Sequence, residues 1–566
     1  MSLRSCVFVA RTEGEESTAA VRARVAALAR FYVPMGLQEV AYMETGLPGV
    51  VAGRIGAGPS PDGILLWGAP FGAGEIGHRD ALADDAELRE ALIGFGAAVV
   101  REERGLRIIT APAGPLSMYV AEGRGVVAWA THAVAAGYLA HGSVSIDRDA
   151  MPELVAFDFV GSTRSPIASV QRVPPASRID VAQDGHFART YWPSEGRWAP
   201  VSEDTADEHT AEALLDSLDR RAGRSRHVAL ALTAGADSRV LAVALAQLGV
   251  ETSAFTWGAG GWPEVEGARG VATHLRLPFT NSAEWRADGD IRRIIDRDAR
   301  WTDGTLILSA SERIWPEGAD AVLLGAAGEV GRAFYYHRAA DHVSPDDAST
   351  LIDVMRAERR LGNASDEARH LLRATVNDWL EQARASGRSG WDVLDVLYAE
   401  QRVGCWGRSQ MPALACDVLA GFASQEVLRG LASLPLADRL SDGFHRRFVA
   451  DRHPEIALPV PSSEPAGLSA PRRAIRRVRR RLGPRPQISS SPILKSAWDE
   501  RPAAQSWVAD GVLGSPLIRE TLGDTWADRV RAAFLAGNQR GVAQAAVACG
   551  PVALAEAISE LARDDH

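Results

Sequence analysis

The sequence predicts two halves of different class. An α+β amino half rich in sheet is followed by an α/β half built on a parallel sheet, with a helical carboxyl-terminal extension. Three observations predict this. Over residues 1–190, short apolar runs are broken by Gly and Pro, as strands joined by turns are. From residue 228, apolar runs of strand length alternate with stretches of helical apolar spacing, as in βαβ units. After residue 346 the spacing is mainly helical.

Composition bounds the function. The chain has 566 residues, enough for about three or four domains. Hydrophobic residues make up 46% and charged residues 24%, so ample apolar material exists for a core. The net charge of -10 gives no electrostatic reason to expect nucleic acid or an anionic membrane as partner. Basic residues are nearly all arginine. Lysine occurs at Lys495, far from most candidate roles. Cys6, Cys405, Cys416 and Cys549 form no CxxC pair, which argues against a zinc or disulfide framework and fits a reducing cytoplasm. The apolar run 6–10 is too short for a signal peptide, and no apolar stretch reaches the length of a membrane span.

Element by element, strands are expected at 6–10, 63–67, 97–100, 106–110 and 125–130, with helices at 21–31 and 82–93. Residues 191–206 read as a connector and 207–222 as a helix. The second half then runs strand 228–233, small-residue turn, helix 238–248, strand 251–257, helix 265–275 and strand 321–324. Residues 459–486 hold six prolines, and seven arginines stand between Arg472 and Arg481. Such a block is a solvated arm, or a surface for an acidic or peptidic partner. Residues 506–564 read as helices. The expected units are therefore 1–190, 207–458, a Pro/Arg-rich arm 459–490, and a helical region 491–566.

The chemistry concentrates in Leu232-Thr233-Ala234-Gly235-Ala236-Asp237-Ser238-Arg239. This turn lies where the first parallel strand gives way to a helix, and ligands of such sheets bind beyond the carboxyl ends of the strands. Small residues let backbone amides approach a phosphate, and the helix N-terminus favours negative charge. Thr233 and Ser238 offer hydroxyl donors. Asp237 would repel a bare phosphate, so it implies a bridging magnesium ion. No Walker lysine and no GxGxxG is present. A plain tight turn with Asp237 as a helix cap accounts for the same residues equally well.

The order hydroxyl–small–Gly–x–Asp–Ser resembles the PP-loop of N-type ATP pyrophosphatases, and within them the asparagine synthetases. Thr233 stands for the usual Ser and Ala234 for the first Gly. Phe255-Thr256-Trp257 resembles the strand end at the adenine pocket. Residues 264–269 resemble the helix that follows. Residues 322–329 fall where the synthetases have a second Ser-Gly-Glu-Gly-x-Asp turn. Trp406-Gly407-Arg408 and residues 453–456 resemble pieces of the helical part. The resemblance covers roughly residues 90–460.

The resemblance implies an amidotransferase-like four-layer αββα amino domain and an adenine nucleotide alpha hydrolase-like synthetase domain. It implies ATP held by residues 232–238, Thr256 and Gly325, with Mg2+ on Asp237 and on Glu329, which replaces an aspartate. Arg446 and Arg447 are possible stand-ins for the family's catalytic lysine, and surface charge on a helix is their plainer reading. Ala326 replaces the family's glutamate. Arg332, Tyr335 and Tyr336 could line an acceptor pocket, though aromatics there serve equally as core. The family's glutaminase nucleophile is a cysteine exposed by removal of Met1. Here position 2 is Ser2, and Cys6 lies inside a strand, so the glutaminase half is expected to be silent.

The implied function is ATP-dependent formation of an amide. A small-molecule or peptide carboxylate would be adenylated for attack by an amine or ammonia. A β-lactam or lasso-peptide type of cyclase, a tRNA-modifying PP-loop protein and a pseudoenzyme are the alternatives.

Overall fold

The computed structural model describes residues 5–13, 15–56, 64–67, 97–102, 105–111, 117–161, 163–175, 177–182, 187–191, 198–222, 225–258, 261–282, 291–305, 316, 318–339, 345, 347–385, 387–410, 417–457 and 502–563. It is a mixed α/β structure with antiparallel and parallel sheets and a helical carboxyl-terminal part.

The amino half has two antiparallel sheets. The first joins β1 (Ser5–Thr12), β2 (Val40–Met43), β3 (Val50–Gly56), β7 (Tyr119–Gly123), β8 (Val126–Ala130) and β9 (Val170–Arg172) in the order β2-β3-β1-β8-β7-β9. The second joins β4 (Ile64–Trp67), β5 (Ala97–Glu102), β6 (Gly105–Thr110), β10 (Ser177–Ala182) and β11 (Phe187–Tyr191) in the order β11-β10-β6-β5-β4. Helices α1 (Glu15–Phe31) and α2 (Ala133–His141) cover the first sheet, and β1 meets β4 of the second. Strand β1 is therefore covered on both faces, which is why it reads as an unbroken apolar run. Three layers are described. The helix expected at 82–93, which would form the fourth, lies outside the described residues.

The second half carries a wholly parallel sheet of β12 (Val228–Ala231), β13 (Thr252–Trp257), β14 (Phe279–Ser282), β15 (Ala321–Leu324) and β16 (Asp417–Ala420), ordered β14-β13-β12-β15-β16. The strand order reverses direction between β12 and β15, and that crevice is where such sheets bind ligands. Strands β14 and β16 correct the sequence reading, which placed no strand at either position and read 346–434 as mainly helical. Both are edge strands, and with Phe279-Thr280-Asn281-Ser282 and Asp417-Val418-Leu419-Ala420 neither carries the unbroken apolar run of the central β12 and β15.

The other helices that matter are α3 (Met151–Phe157), α4 (Ala236–Leu248), α5 (Pro263–His274), α6 (Ile291–Trp301), α7 (Asp366–Ala385), α8 (Gly443–Arg452) and α9 (Gln539–Arg563). Helix α9 packs on α6 and α1, so the carboxyl-terminal helices touch both halves. Residues 540–563 are long and apolar enough to cross a membrane by length and composition, which the sequence reading did not register. Of their apolar window, 78% is buried in this fold, as in a core helix.

A buried pair joins the halves. Asp303 follows α6 and is wholly buried. Its carboxylate accepts from the amides of Ala133 at 2.9 Å and Val134 at 3.2 Å, capping α2 from far along the chain. Arg408 donates to Asp303 at 3.3 Å and to the Thr131 carbonyl at 3.0 Å, and lies over the Trp301 ring. Burial pushes the Asp303 carboxyl up, and Arg408 and the two amides oppose that. Removing the carboxylate strands a buried guanidinium. We expect Asp303→Ala to lower the unfolding free energy by about 3–5 kcal/mol in urea titration.

Glu153 in α3 is also wholly buried. It accepts from the Gly161 amide at 3.0 Å and from Thr375 of α7 at 2.6 Å. Burial pushes its carboxyl up to about 7, against the hydrogen bonds and the Arg164 charge. In the unfolded chain it titrates near the ordinary ~4.3. The folded state thus binds the extra proton, and this stabilisation is full below the unfolded value and lost as pH rises through about 7. Unfolding free energies measured from pH 5 to 8 should fall through this window, and Glu153→Gln should flatten the slope.

Candidate active site

The site is built from the turn after β12. Leu232 is buried and continues the ladder, donating to the Phe255 carbonyl at 2.9 Å. The chain then folds back on itself. The Thr233 amide donates to Ser238 Oγ at 3.1 Å, and the Gly235 amide donates to Thr233 Oγ1 at 3.0 Å. Ser238 Oγ also donates to the Thr233 carbonyl at 3.2 Å, and the residue is buried. The two hydroxyls thus also hold the loop in shape, a role that the sequence reading of them as ligand donors did not include. Backbone amides remain for a ligand. Helix α4 starts at Ala236 behind an extended Gly235 with no side-chain cap, which leaves its first-turn amides without a cap from that residue.

Ala234 stands where the PP-loop pattern has glycine, and the fold makes room for it. A Cβ on Gly267 of α5 would sit 2.6 Å from the Ala234 methyl, so the missing side chain at 267 accommodates the extra one at 234. Gly267→Ala should therefore lower stability by about 1–3 kcal/mol through overpacking. Thermal unfolding of Gly267→Ala with Ala234→Gly should recover most of that loss, giving a coupling of about 1–2 kcal/mol.

Asp237, in the first turn of α4, points into the second turn, after β15. Gly328 must lack a side chain there, since a Cβ would meet Asp237 Oδ1 at 2.4 Å. Arg332 Nη1 donates to Asp237 Oδ2 at 3.1 Å, and its Nε donates to Asp442 at 2.9 Å. His445 Nε2, on α8, lies 2.9 Å from Asp237 Oδ1 without hydrogen-bond alignment. Burial works against the Asp237 charge, but His445 and Arg332 outweigh it and hold the carboxyl low. Glu329 lies on the same turn. Burial, and then the Asp237 charge, push its carboxyl up, while a hydrogen bond with Tyr398 opposes them.

Asp237 Oδ1 and Glu329 Oε2 are buried with no hydrogen-bond partner. Carboxylate oxygens are the hard donors that a magnesium ion takes, and at Asp237 Oδ1 such an ion would take the place of His445, which stands 2.9 Å away. By donor chemistry Asp237 and Glu329 fit such an ion, while Arg332 and His445 hold the Asp237 carboxylate.

Gly325 backs directly onto Asp237, 3.2 Å from its Cβ at the nearest for an added side chain. Thr256 is buried within β13, and half-buried Trp257 ends the strand. Arg446 and Arg447 do not meet the Asp237 cluster in the way expected of a catalytic cation. Arg447 pairs with Asp207 and, at 2.7 Å, Asp438. At about 100° per residue, position 447 lies on nearly the opposite side of α8 from His445. Arg446 is half-buried between those directions. The residue on α8 that reaches the site is His445, which sequence reasoning passed over.

Tyr335 and Tyr336 are buried, and the Tyr336 hydroxyl donates to Asp395 at 3.0 Å, so these aromatics belong to the core. Cys6 is buried in β1, with its thiol pushed up to about 12 by burial, and is no nucleophile. Ser2, Lys495, Cys416 and the arginines 472–481 lie outside the described residues.

No protein-family profile matches the chain, and no curated protein matches its sequence. Among solved structures it is similar to the glutamine phosphoribosylpyrophosphate amidotransferase from B. subtilis complexed with ADP and GMP. The identity is 11%, over 58% of this chain and 77% of that one, with a TM-score of 0.19. A superposition this loose carries no argument about function.

Proposed function

We propose that this protein binds ATP in the crevice between β12 and β15 and uses it to activate a carboxylate for amide formation. The observation that carries the reading is the uncapped start of α4 at the strand-order reversal, with Asp237 and Glu329 beside it. A helix N-terminus there suits a pyrophosphate. A carboxylate oxygen of the substrate would attack the α-phosphorus, releasing pyrophosphate and leaving an acyl adenylate. An amine nitrogen would then attack the acyl carbon, releasing AMP and a proton. The amides of the loop would hold the pyrophosphate as charge builds on it. Magnesium, held by Asp237 and Glu329, would neutralise part of that charge. In this reading ammonia or an amine already within the substrate is the nucleophile, and Cys6, buried in β1, takes no part. An intramolecular amine would make the protein a cyclase of the β-lactam or lasso-peptide kind.

One observation favours a second reading, a nucleotide-binding module without turnover. Arg332 and His445 already occupy Asp237. ATP–pyrophosphate exchange driven by candidate carboxylates separates the two. Exchange should occur and fall by about 10²–10³ in Asp237→Asn. ATP binding by calorimetry without exchange for any carboxylate supports the module. No ATP binding with magnesium present overturns both.

A further inference from the structure

We propose that His274, His453 and Glu455 form a zinc site that clamps the end of α5 to the segment leaving α8. One nitrogen of each imidazole and one Glu455 oxygen all lie within 4.8 Å of one another. His274 Nε2 and Glu455 Oε2 are 3.5 Å apart. Two ligands of a tetrahedral zinc at about 2.0–2.1 Å stand roughly 3.3–3.5 Å from each other, so small rotamer changes close the set. Those changes are open to these side chains, since His274 is 30% and Glu455 64% exposed. Two imidazoles and one carboxylate select zinc and its first-row neighbours over magnesium or calcium, which take oxygen. Three protein ligands leave a fourth position for water.

The backbone prepares the site. His453 ends α8, and Pro454 opens the short 3₁₀ turn Pro454–Ile456, so His453 and Glu455 flank a residue of fixed φ. His274 stands in the last turn of α5. The clamped segment also meets α4, because Arg239 Nη1 donates to the Ile456 carbonyl at 3.3 Å. Zinc here would tie α5 to the segment 453–456, which Arg239 in turn links to α4. An exposed His–carboxylate pair alone is worth little; the second imidazole is what turns the pair into a ligand set. The inference does not rest on nucleotide use by the sheet.

Zinc titrated into the full chain against a chromophoric chelator, with excess magnesium present, tests it. One equivalent should bind. His274→Ala, His453→Ala and Glu455→Gln should each weaken binding by at least about tenfold, since losing a ligand costs no less than losing an outer-shell partner. His209, paired with Glu426 at 3.3 Å and absent from the set, supplies the control: His209→Ala should leave binding unchanged. Circular dichroism should show all four variants folded. Absence of a bound equivalent overturns the proposal, as does binding that the three substitutions leave unchanged.

Discussion

The candidate site depends on burial of the Asp237 carboxylate between two turns. A carboxylate taken out of water costs several kcal/mol unless partners meet it. Here they come from three directions: the glycines after β15 leave it room, Arg332 binds one oxygen, and His445 of α8 lies against the other. The turn after β12, the turn after β15 and the start of α8 are thereby fixed relative to one another. The amides at the head of α4 inherit their direction from that arrangement. A ligand bound to those amides would also report on the state of Arg332 and His445.

The same device recurs away from the site. Asp303 with Arg408 joins the halves, and Asp395 with Arg439 lies beneath the second turn. These pairs bridge segments 95, 105 and 44 residues apart for Asp237, Asp303 and Asp395 respectively. In two of them one guanidinium serves a carboxylate and a backbone carbonyl together. Arg408 also binds the Thr131 carbonyl, and Arg439 also binds that of Val330. A planar fork of five donors can do both, whereas a lysine ammonium is a compact point charge. The near absence of lysine from this chain is thus compatible with a core that uses buried charge as a joint.

Much of this architecture was legible in the sequence because central parallel strands are buried on both faces and read as plain apolar runs. That placed β12, β13 and β15, and hence the loop at Gly235. The edge strands β14 and β16 were not legible, since Thr280, Asn281, Ser282 and Asp417 break their apolar pattern. Within the site, residue types were readable but directions were not. Nothing in Phe444-His445-Arg446-Arg447 says which side chain faces the sheet; a rotation of about 100° per residue decides it. The part that Thr233 and Ser238 play in closing the loop was missed for a related reason. A hydroxyl beside a phosphate loop and a hydroxyl that closes the loop look alike until the turn is folded.

The second turn carries a further clue. Ala327 is buried at φ 75°, in the left-handed region. For a residue with a Cβ that conformation costs roughly 1–2 kcal/mol. Glycine would remove the cost, and the resemblance to the synthetases puts glycine at this position. The turn is nevertheless held, by Arg439 on the Val330 carbonyl at 3.0 Å and by Arg332 on Asp237 at 3.1 Å. Strain kept in place by surrounding contacts points to a conformation the site needs. Ala327 stands two residues before Glu329, whose carboxyl burial and then the Asp237 charge push up, so the strained residue belongs to the turn that brings the two carboxylates into electrostatic contact.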